Sequence, residues 1–267
     1  MNKNQICLIG AAGRMGLAIT EILSSHPTSL LNQAVEHSQF SHLGKDSGIH
    51  AGLSENKVFY TDKLEESIQK SDSVIDFGSS QNTSEVVNVC LKYQKPLVIG
   101  VTGLEQKTIE QIKVASLTIP ILQSPNMSIG VNLLFKLVEI ASKVLNDYDI
   151  EILDIHHRHK KDSPSGTARE LKNVILKALS REEKNVIYGR HGNEYSERDK
   201  EEIAIHSMRA GEVVGDHTVH FLSAEERIEI THKAMNRRTF AVGAVKASEY
   251  LLSQKIGLYN MFDVLGI

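Results

Sequence analysis

Apolar residues in the first half of the chain gather in short strand-like runs, at 6–9, 30–35, 58–60, 74–77, 96–99 and 119–122, with helix-like stretches between them. Continuous apolar runs separated by amphipathic helices are the pattern of parallel strands covered on both faces. The pattern predicts a doubly wound α/β domain.

After Pro125 the pattern changes. A helix is predicted over 128–145, with Leu133, Leu137, Ile140, Ala141 and Val144 at helical spacing. A strand over 150–155 follows, then a helix carrying Leu171, Val174, Ile175, Ala178 and Leu179. Alternating segments at 203–208, 217–222 and 227–232 are joined by glycine- and charge-rich turns, which predicts an antiparallel meander within an open mixed sheet. This second, α+β domain would have one sheet face covered by its own helices and another apolar face to hide, which predicts assembly through that sheet. A last helix over 239–252 packs more easily back on the first domain than onto a sheet edge. The expected organisation is a discontinuous domain, 1–126 with 237–267, around a central domain, 127–236.

Charge narrows the function. Against 30 Lys and Arg stand 33 Asp and Glu, a net charge of −3, which argues against a partner held by phosphate contacts, nucleic acid in particular. No apolar run approaches the length of about 18 residues that a membrane helix needs, and the start Met1-Asn2-Lys3-Asn4-Gln5 is unlike a signal peptide. A soluble, cytoplasmic protein is expected. Cys7 and Cys90 are too few for a disulfide framework or a thiolate metal site, so both are expected to be buried in a reducing compartment.

The first chemical motif is Gly10-Ala11-Ala12-Gly13-Arg14-Met15-Gly16, between the first predicted strand and a helix. Glycines there let the backbone approach a pyrophosphate, which the positive end of the following helix attracts. The G-x-x-G-x-x-G spacing is weak alone. Its context strengthens it, because Glu36 closes the second strand where a carboxylate accepts from ribose hydroxyls. This predicts a Rossmann-type dinucleotide site. Gly100-Val101-Thr102-Gly103 and Ser124-Pro125-Asn126-Met127 also follow the carboxyl ends of predicted strands, the edge where such sheets bind ligands.

The second motif is His156-His157-Arg158-His159-Lys160, followed by Pro164-Ser165-Gly166-Thr167. Dense protonatable and cationic groups suit an anionic substrate and proton transfer near neutral pH. Consecutive histidines on a strand point to opposite faces, Arg158 and Lys160 repel a cation, and no H-E-x-x-H is present, so no metal is expected. A solvated basic turn is the plain alternative. Thr167 and Glu170 fit a capping box, which would place Gly166 and Thr167 at a helix start receptive to a carboxylate.

The pairing of GAAGRMG with HHRHK-x3-SGT resembles the 4-hydroxy-tetrahydrodipicolinate reductase (dihydrodipicolinate reductase) family of the diaminopimelate and lysine pathway. Supporting runs are GVTG at 100–103, SPNMSIGVN at 124–132, RAGEVVGDHT at 209–218 and EITHKA at 229–234. The resemblance implies that NADH or NADPH delivers hydride to a cyclic imine dicarboxylate with loss of water, in a homotetramer assembled through the central sheets. It implies His156 and Lys160 as the proton-donating pair, and His157, Gly166 and Thr167 as holders of substrate carboxylates. It also implies cofactor contacts from the stretch Gly10 to Met15, from Glu36, from Gly100, Val101 and Thr102, and from Ser124 through Met127.

Two departures bear on the cofactor. Glu36 is followed by His37, where NADPH-preferring members often have Arg, and the segment Asp76-Phe77-Gly78-Ser79-Ser80 lacks the arginine often found after that Phe. Dual use is expected, with NADH at least comparable to NADPH and Lys45 a candidate cation for a 2′-phosphate. Competing readings are another nicotinamide dehydrogenase acting on a small amino or keto acid, a non-catalytic dinucleotide sensor and a metal hydrolase. None of these requires HHRHK beside SGT.

Overall fold

The computed structural model describes residues 3–190, 192 and 197–267. The chain forms two compact units, residues 1–129 with 237–266, and residues 130–236 with the terminal Ile267.

The first unit runs β1 (Asn4–Ile9), α1 (Arg14–Leu23), β2 (Ser29–Val35), α2 (Ser47–His50), β3 (Tyr60–Thr61), α3 (Leu64–Gln69), β4 (Ser73–Asp76), α4 (Thr83–Tyr93), β5 (Leu97–Ile99), α5 (Gln106–Ala115) and β6 (Pro120–Gln123). The second runs α6 (Ile129–Val144), β7 (Asp149–His156), α7 (Gly166–Leu179), β8 (Val186–Ile187), β9 (Ile203–Arg209), β10 (Gly215–Leu222) and β11 (Arg227–Ala234). The chain then returns to the first unit with α8 (Arg238–Leu251), β12 (Gly257–Tyr259) and α9 (Met261–Leu265).

The first sheet has the order β12-β6-β5-β4-β1-β2-β3 and is parallel throughout. Its strands are buried runs because both faces are covered. Ile6, Leu8, Ile75 and Val98 join α1 and α8 residues in one cluster, whereas Cys7, Val74, Leu97 and Ile99 join α4 and α5 residues in another. Both cysteines are buried and free. The run at 58–60 yields only Tyr60–Thr61 as strand, because Phe59 bridges antiparallel to Asp46 before the chain reaches β2. Helix α8 is fastened by a buried polar trio: Asn4 donates to Ser248 at 3.1 Å, Ser73 donates to Asn4 at 3.0 Å, and Ser73 and Ser248 are 2.8 Å apart. Gly243 lets α8 lie against Met127, whose carbonyl oxygen would be 1.7 Å from a β-carbon there.

The second sheet, in the order β11-β10-β7-β9-β8, corrects the predicted meander. Strand β7 lies between β9 and β10, parallel to the former and antiparallel to the latter. The alternating segments are real strands, but β7 already occupies the central place. The expected apolar outer face is corrected to a mixed one: Glu151, His206, Thr218, His220 and Glu229 stand on it beside Leu153, Ile155, Met208 and Leu222.

Helix α6 spans almost the predicted residues but buries another face. Val131, Leu134, Phe135 and Val138 are buried, whereas Leu133, Leu137, Ile140 and Val144 are 45, 43, 51 and 72% exposed. The helix is apolar on two sides, and periodicity cannot choose between them.

Candidate active site

In the first unit β1 lies between β2 and β4, the reversal point where a doubly wound sheet opens a crevice at its carboxyl edge. The glycine-rich turn is built for close backbone packing. Gly10 has φ +73°, and a β-carbon on it would lie 2.6 Å from the carbonyl oxygen of Phe77. One on Gly16 would lie 2.3 Å from the carbonyl oxygen of Gly10. Gly13 caps α1 with no side chain to offer its donors, so the helix start presents backbone N–H groups, as a pyrophosphate needs. This cradle fits a dinucleotide.

Around that turn a cleft of about 470 Å³ is lined by Gly10, Glu36, His37, Asp62, Ser79 and Glu85, among others. Ala12 N–H donates to Oε1 of Glu36 at 2.7 Å, so the expected ribose carboxylate also anchors the glycine turn. Glu36, Asp62 and Glu85 make the lining acidic, and Lys45 is not part of it. Arg14 is exposed at the start of α1, while Ala11 is buried and Met15 packs into the core. Gly100 lies under the Phe77 ring, which a β-carbon would meet at 2.3 Å. Val101 packs on the neighbouring apolar cluster, and Thr102 is exposed. In the turn after β6, Ser124 donates to the Asn126 carbonyl at 2.9 Å, Pro125 is exposed and Met127 is buried. The predicted cofactor residues thus lie on the turns that follow β1, β2, β5 and β6, except Arg14 and Met15, which open α1.

Sequence reasoning passed over Asp76, which ends β4 almost wholly buried. Gly78 N–H donates to it at 2.8 Å and the Thr83 hydroxyl at 3.0 Å, fixing the turn beside the cleft. Burial pushes its carboxyl up to about 6, even against these hydrogen bonds.

In the second unit, β7 alternates with Ile150, Ile152, Asp154 and His156 inward. Its last two inward positions are therefore a carboxylate and an imidazole where the pattern calls for core residues. Nδ1 of His156 lies 2.9 Å from Oδ1 of Asp154, and Nε2 of His217 lies 3.3 Å from the same oxygen. His217 is directly opposite Asp154 on β10, and Ser207 is opposite it on β9. Oδ2 of Asp154 accepts from Ser165 N–H at 2.8 Å, from Arg209 at 2.9 Å and from the Ser207 hydroxyl at 3.2 Å. Burial pushes this carboxyl up, but His156, His217, Ser165 and Arg209 outweigh it and hold the group far below the usual range. Burial, with the nearby charge of His156, pushes His217 down despite its contact with Asp154.

The predicted capping box at Thr167 and Glu170 is corrected. The cap is Ser165, whose hydroxyl accepts from Ala168 N–H at 3.2 Å, and Thr167 is the second helical residue. Extended backbone at Ser165 after Pro164 starts the helix two residues early, and Glu170 accepts from Asn173 instead. Gly166 and Thr167 still form the first turn of α7.

The turn carrying the histidines is held by the loop after β9. His157 N–H donates to the Val213 carbonyl at 2.7 Å, Arg158 N–H to Gly211 at 3.1 Å, and Ala210 N–H to His156 at 2.9 Å. His157 is half-buried, and Lys160 pairs with Asp162 at 2.8 Å. Asp162, Arg209 and His217 are contributors that the sequence reading missed. Asp154 left a signal, a charged residue in phase with Ile150 and Ile152 and two positions before His156. The donors of Asp154, His156 and His217 lie within 4.8 Å of one another, as a metal would require. The Arg209 guanidinium on that same carboxylate opposes a cation there.

A parallel sheet with a glycine cradle at its reversal point, joined in one chain to a unit rich in cations and histidines, defines a nicotinamide-dependent oxidoreductase. Residues 4–127 match the family model for the dihydrodipicolinate reductase N-terminus and residues 130–265 that for its C-terminus, so the chain belongs to the dihydrodipicolinate reductase family. Its reaction is the NAD(P)H-dependent reduction of dihydrodipicolinate in lysine and diaminopimelate biosynthesis. Among solved structures, the dipicolinate-bound dihydrodipicolinate reductase from Paenisporosarcina sp. TG-14 is similar, with 22% identity, 98% of each chain covered and a TM-score of 0.78. Amine dehydrogenase from Mycobacterium smegmatis shares the fold more distantly, at 8% identity over 97% of this chain and 95% of that one, with a TM-score of 0.66. So does a probable dehydrogenase from Thermotoga maritima, at 14% identity over 97% and 92%, with a TM-score of 0.62.

Proposed function

We propose that the first unit holds the nicotinamide cofactor and the second unit holds the cyclic imine dicarboxylate and supplies its proton. The cofactor, when bound, supplies hydride. The turn from Gly10 to Met15 and the start of α1 hold its pyrophosphate, Glu36 and His37 its adenosine ribose, and the turns at Gly100, Val101, Thr102 and Ser124 to Met127 its nicotinamide end. His157 and the first turn of α7, with the Gly166 amide and the Thr167 N–H and hydroxyl, hold substrate carboxylates. Lys160 supplies a cation, which a dianionic substrate must share with Asp162. His156 and Lys160 form the proton-donating pair, since protonation after hydride arrival needs a positioned acid.

The observation that carries this assignment is that His156 and the cap of α7 meet on one buried carboxylate, Asp154. Acid and anion-receptive helix start are thereby parts of one network. No metal enters the scheme, for which the Arg209 guanidinium beside Asp154 is the support.

The same reading takes both NADH and NADPH, with NADH at least comparable, and acts as a cytoplasmic homotetramer assembled through the second unit. Among the described residues no helix is long and apolar enough to cross a membrane. Apolar surface on the second unit that assembly could cover includes Leu133, Leu137 and Met208.

The test is an assay with freshly generated substrate, following nicotinamide absorbance with each cofactor. His156→Ala and Lys160→Ala are each expected to lower kcat about a hundredfold or more, the scale of a lost general acid. If both variants kept kcat within a few-fold of wild type, the residue assignment would fail. Light scattering showing a stable monomer at micromolar concentration would remove the tetramer.

A further inference from the structure

A carboxylate with no solvent exposure is expensive unless its partners are well placed, because the buried charge gives up its hydration. Asp154 is such a group, with 0% exposure, and its two oxygens serve different structures. Oδ1 lies 2.9 Å from Nδ1 of His156 and 3.3 Å from Nε2 of His217, aligned for a hydrogen bond with neither, so it acts on the rings through its charge. Oδ2 takes the N–H of Ser165, the residue that caps the helix carrying Gly166 and Thr167.

A carboxylate at Nδ1 selects the imidazole tautomer with its proton on Nδ1 and leaves Nε2 as the exchanging nitrogen. Space at that nitrogen comes from Gly215, where a β-carbon would lie 2.9 Å from Nε2 of His156. The charged and titratable neighbours of the carboxylate are His156 on its own strand, His217 on β10 and Arg209 on β9, with His232 of β11 behind His217 in register. Helix α7 contributes the uncharged Ser165, whose hydroxyl also lies 3.1 Å from Nε2 of His217.

We propose that Asp154 is the positioning residue of the reduction: one buried carboxylate sets the tautomer of His156 and fixes its spacing from the helix start that receives the substrate carboxylate. The inference rests on the assignment of His156 as proton donor, and Asp154 itself touches no reacting atom.

The experiment compares wild type with Asp154→Asn and Asp154→Glu in the intact enzyme. Asp154→Asn is expected to lower kcat about tenfold to hundredfold, the usual scale for losing a partner that orients a functional histidine. Its dissociation constant for dipicolinate, titrated as a planar dianion, should rise several-fold, while that for the cofactor stays within about twofold. Asp154→Glu should recover part of the lost kcat, which a purely steric role would not predict. A folded Asp154→Asn enzyme with wild-type kcat and dipicolinate affinity would overturn the proposal.

A second measurement needs no turnover and leaves Asp154 in place. In 15N-histidine NMR of the wild type, with the signal assigned by its absence from His156→Gln, neutral His156 is expected to carry its proton on Nδ1. A neutral ring protonated on Nε2 alone would overturn the proposal. Absence of wild-type turnover would instead strike the functional reading, and the ring tautomer would still decide the role of Asp154.

Discussion

The N–H of Ala12 donates to the carboxylate of Glu36 at 2.7 Å, which joins the glycine turn after β1 to the end of β2. The acid expected to receive ribose hydroxyls is therefore already fixed in place. With Asp62 and Glu85 it gives the cleft three carboxylates and, among the described residues, no lysine or arginine in its lining. A 2′-phosphate meets repulsion there, so kcat/KM with NADH should at least match that with NADPH. His37→Arg should shift preference toward NADPH by about 1 to 2 kcal/mol, roughly five- to thirtyfold, the upper range for a hydrogen bond to a charged group. Steady-state kinetics with both cofactors test this, and a wild-type preference for NADPH of a hundredfold would refute it.

Gly10 has a reason in the fold itself to be glycine. Its φ of +73° disfavours any β-carbon, and the Phe77 carbonyl oxygen 2.6 Å away leaves no room for one. Gly10→Ala should cost about 1 to 2 kcal/mol for the left-handed backbone alone, with the clash added. Urea melts should show the loss, and cofactor titration should show much weaker binding. Unchanged cofactor affinity would mean that this turn is not the pyrophosphate cradle.

Gly215 lies in strand β10 without a positive φ, and a β-carbon there would come within 2.9 Å of Nε2 of His156. Gly215→Ala should move the imidazole, and a misplacement of about 1 Å can cost on the order of a hundredfold in rate. A tenfold or larger fall in kcat is expected with little change in melting temperature. Wild-type kcat in this variant would show that Nε2 of His156 tolerates displacement.

Asp76 sets a pH dependence of stability. Its folded pKa of about 6 lies above the ordinary 3.8, so the folded state binds this proton more tightly than the unfolded state. The destabilisation is absent below the unfolded pKa, develops as pH rises toward 6 and is complete above it. At about 1.4 kcal/mol per pKa unit it amounts to at most about 3 kcal/mol. Asp76→Asn should therefore gain stability relative to wild type between pH 4 and pH 8. Urea denaturation at both pH values checks this, and a constant difference between the two proteins would count against it.

Removing the hydroxyl of Ser165 should cost about 1 kcal/mol as a lost helix cap. Because the same hydroxyl caps the turn whose Gly166 and Thr167 are assigned to a substrate carboxylate, Ser165→Ala should also weaken dipicolinate binding. Calorimetric titration beside thermal melts separates the two effects. A melting shift with unchanged binding would confine Ser165 to capping.

Much of this protein is legible in the order of its residues, because strand and helix periods, tight turns and charge clusters are local properties. The runs at 6–9, 74–77 and 96–99 call for buried parallel strands, and GAAGRMG calls for a phosphate turn between a strand and a helix. The stretch HHRHK with SGT concentrates cations and titratable groups whatever surrounds it. Tertiary structure alone decided that β7 enters between β9 and β10, and thereby that Asp154 faces His217 and Ser207. It also decided which apolar side of α6 is buried, and that Asn4, Ser73 and Ser248 meet across the chain to seat α8. Such choices depend on partners distant in sequence. A residue's pattern records that it must be covered or paired, and only the packed chain supplies the group that does so.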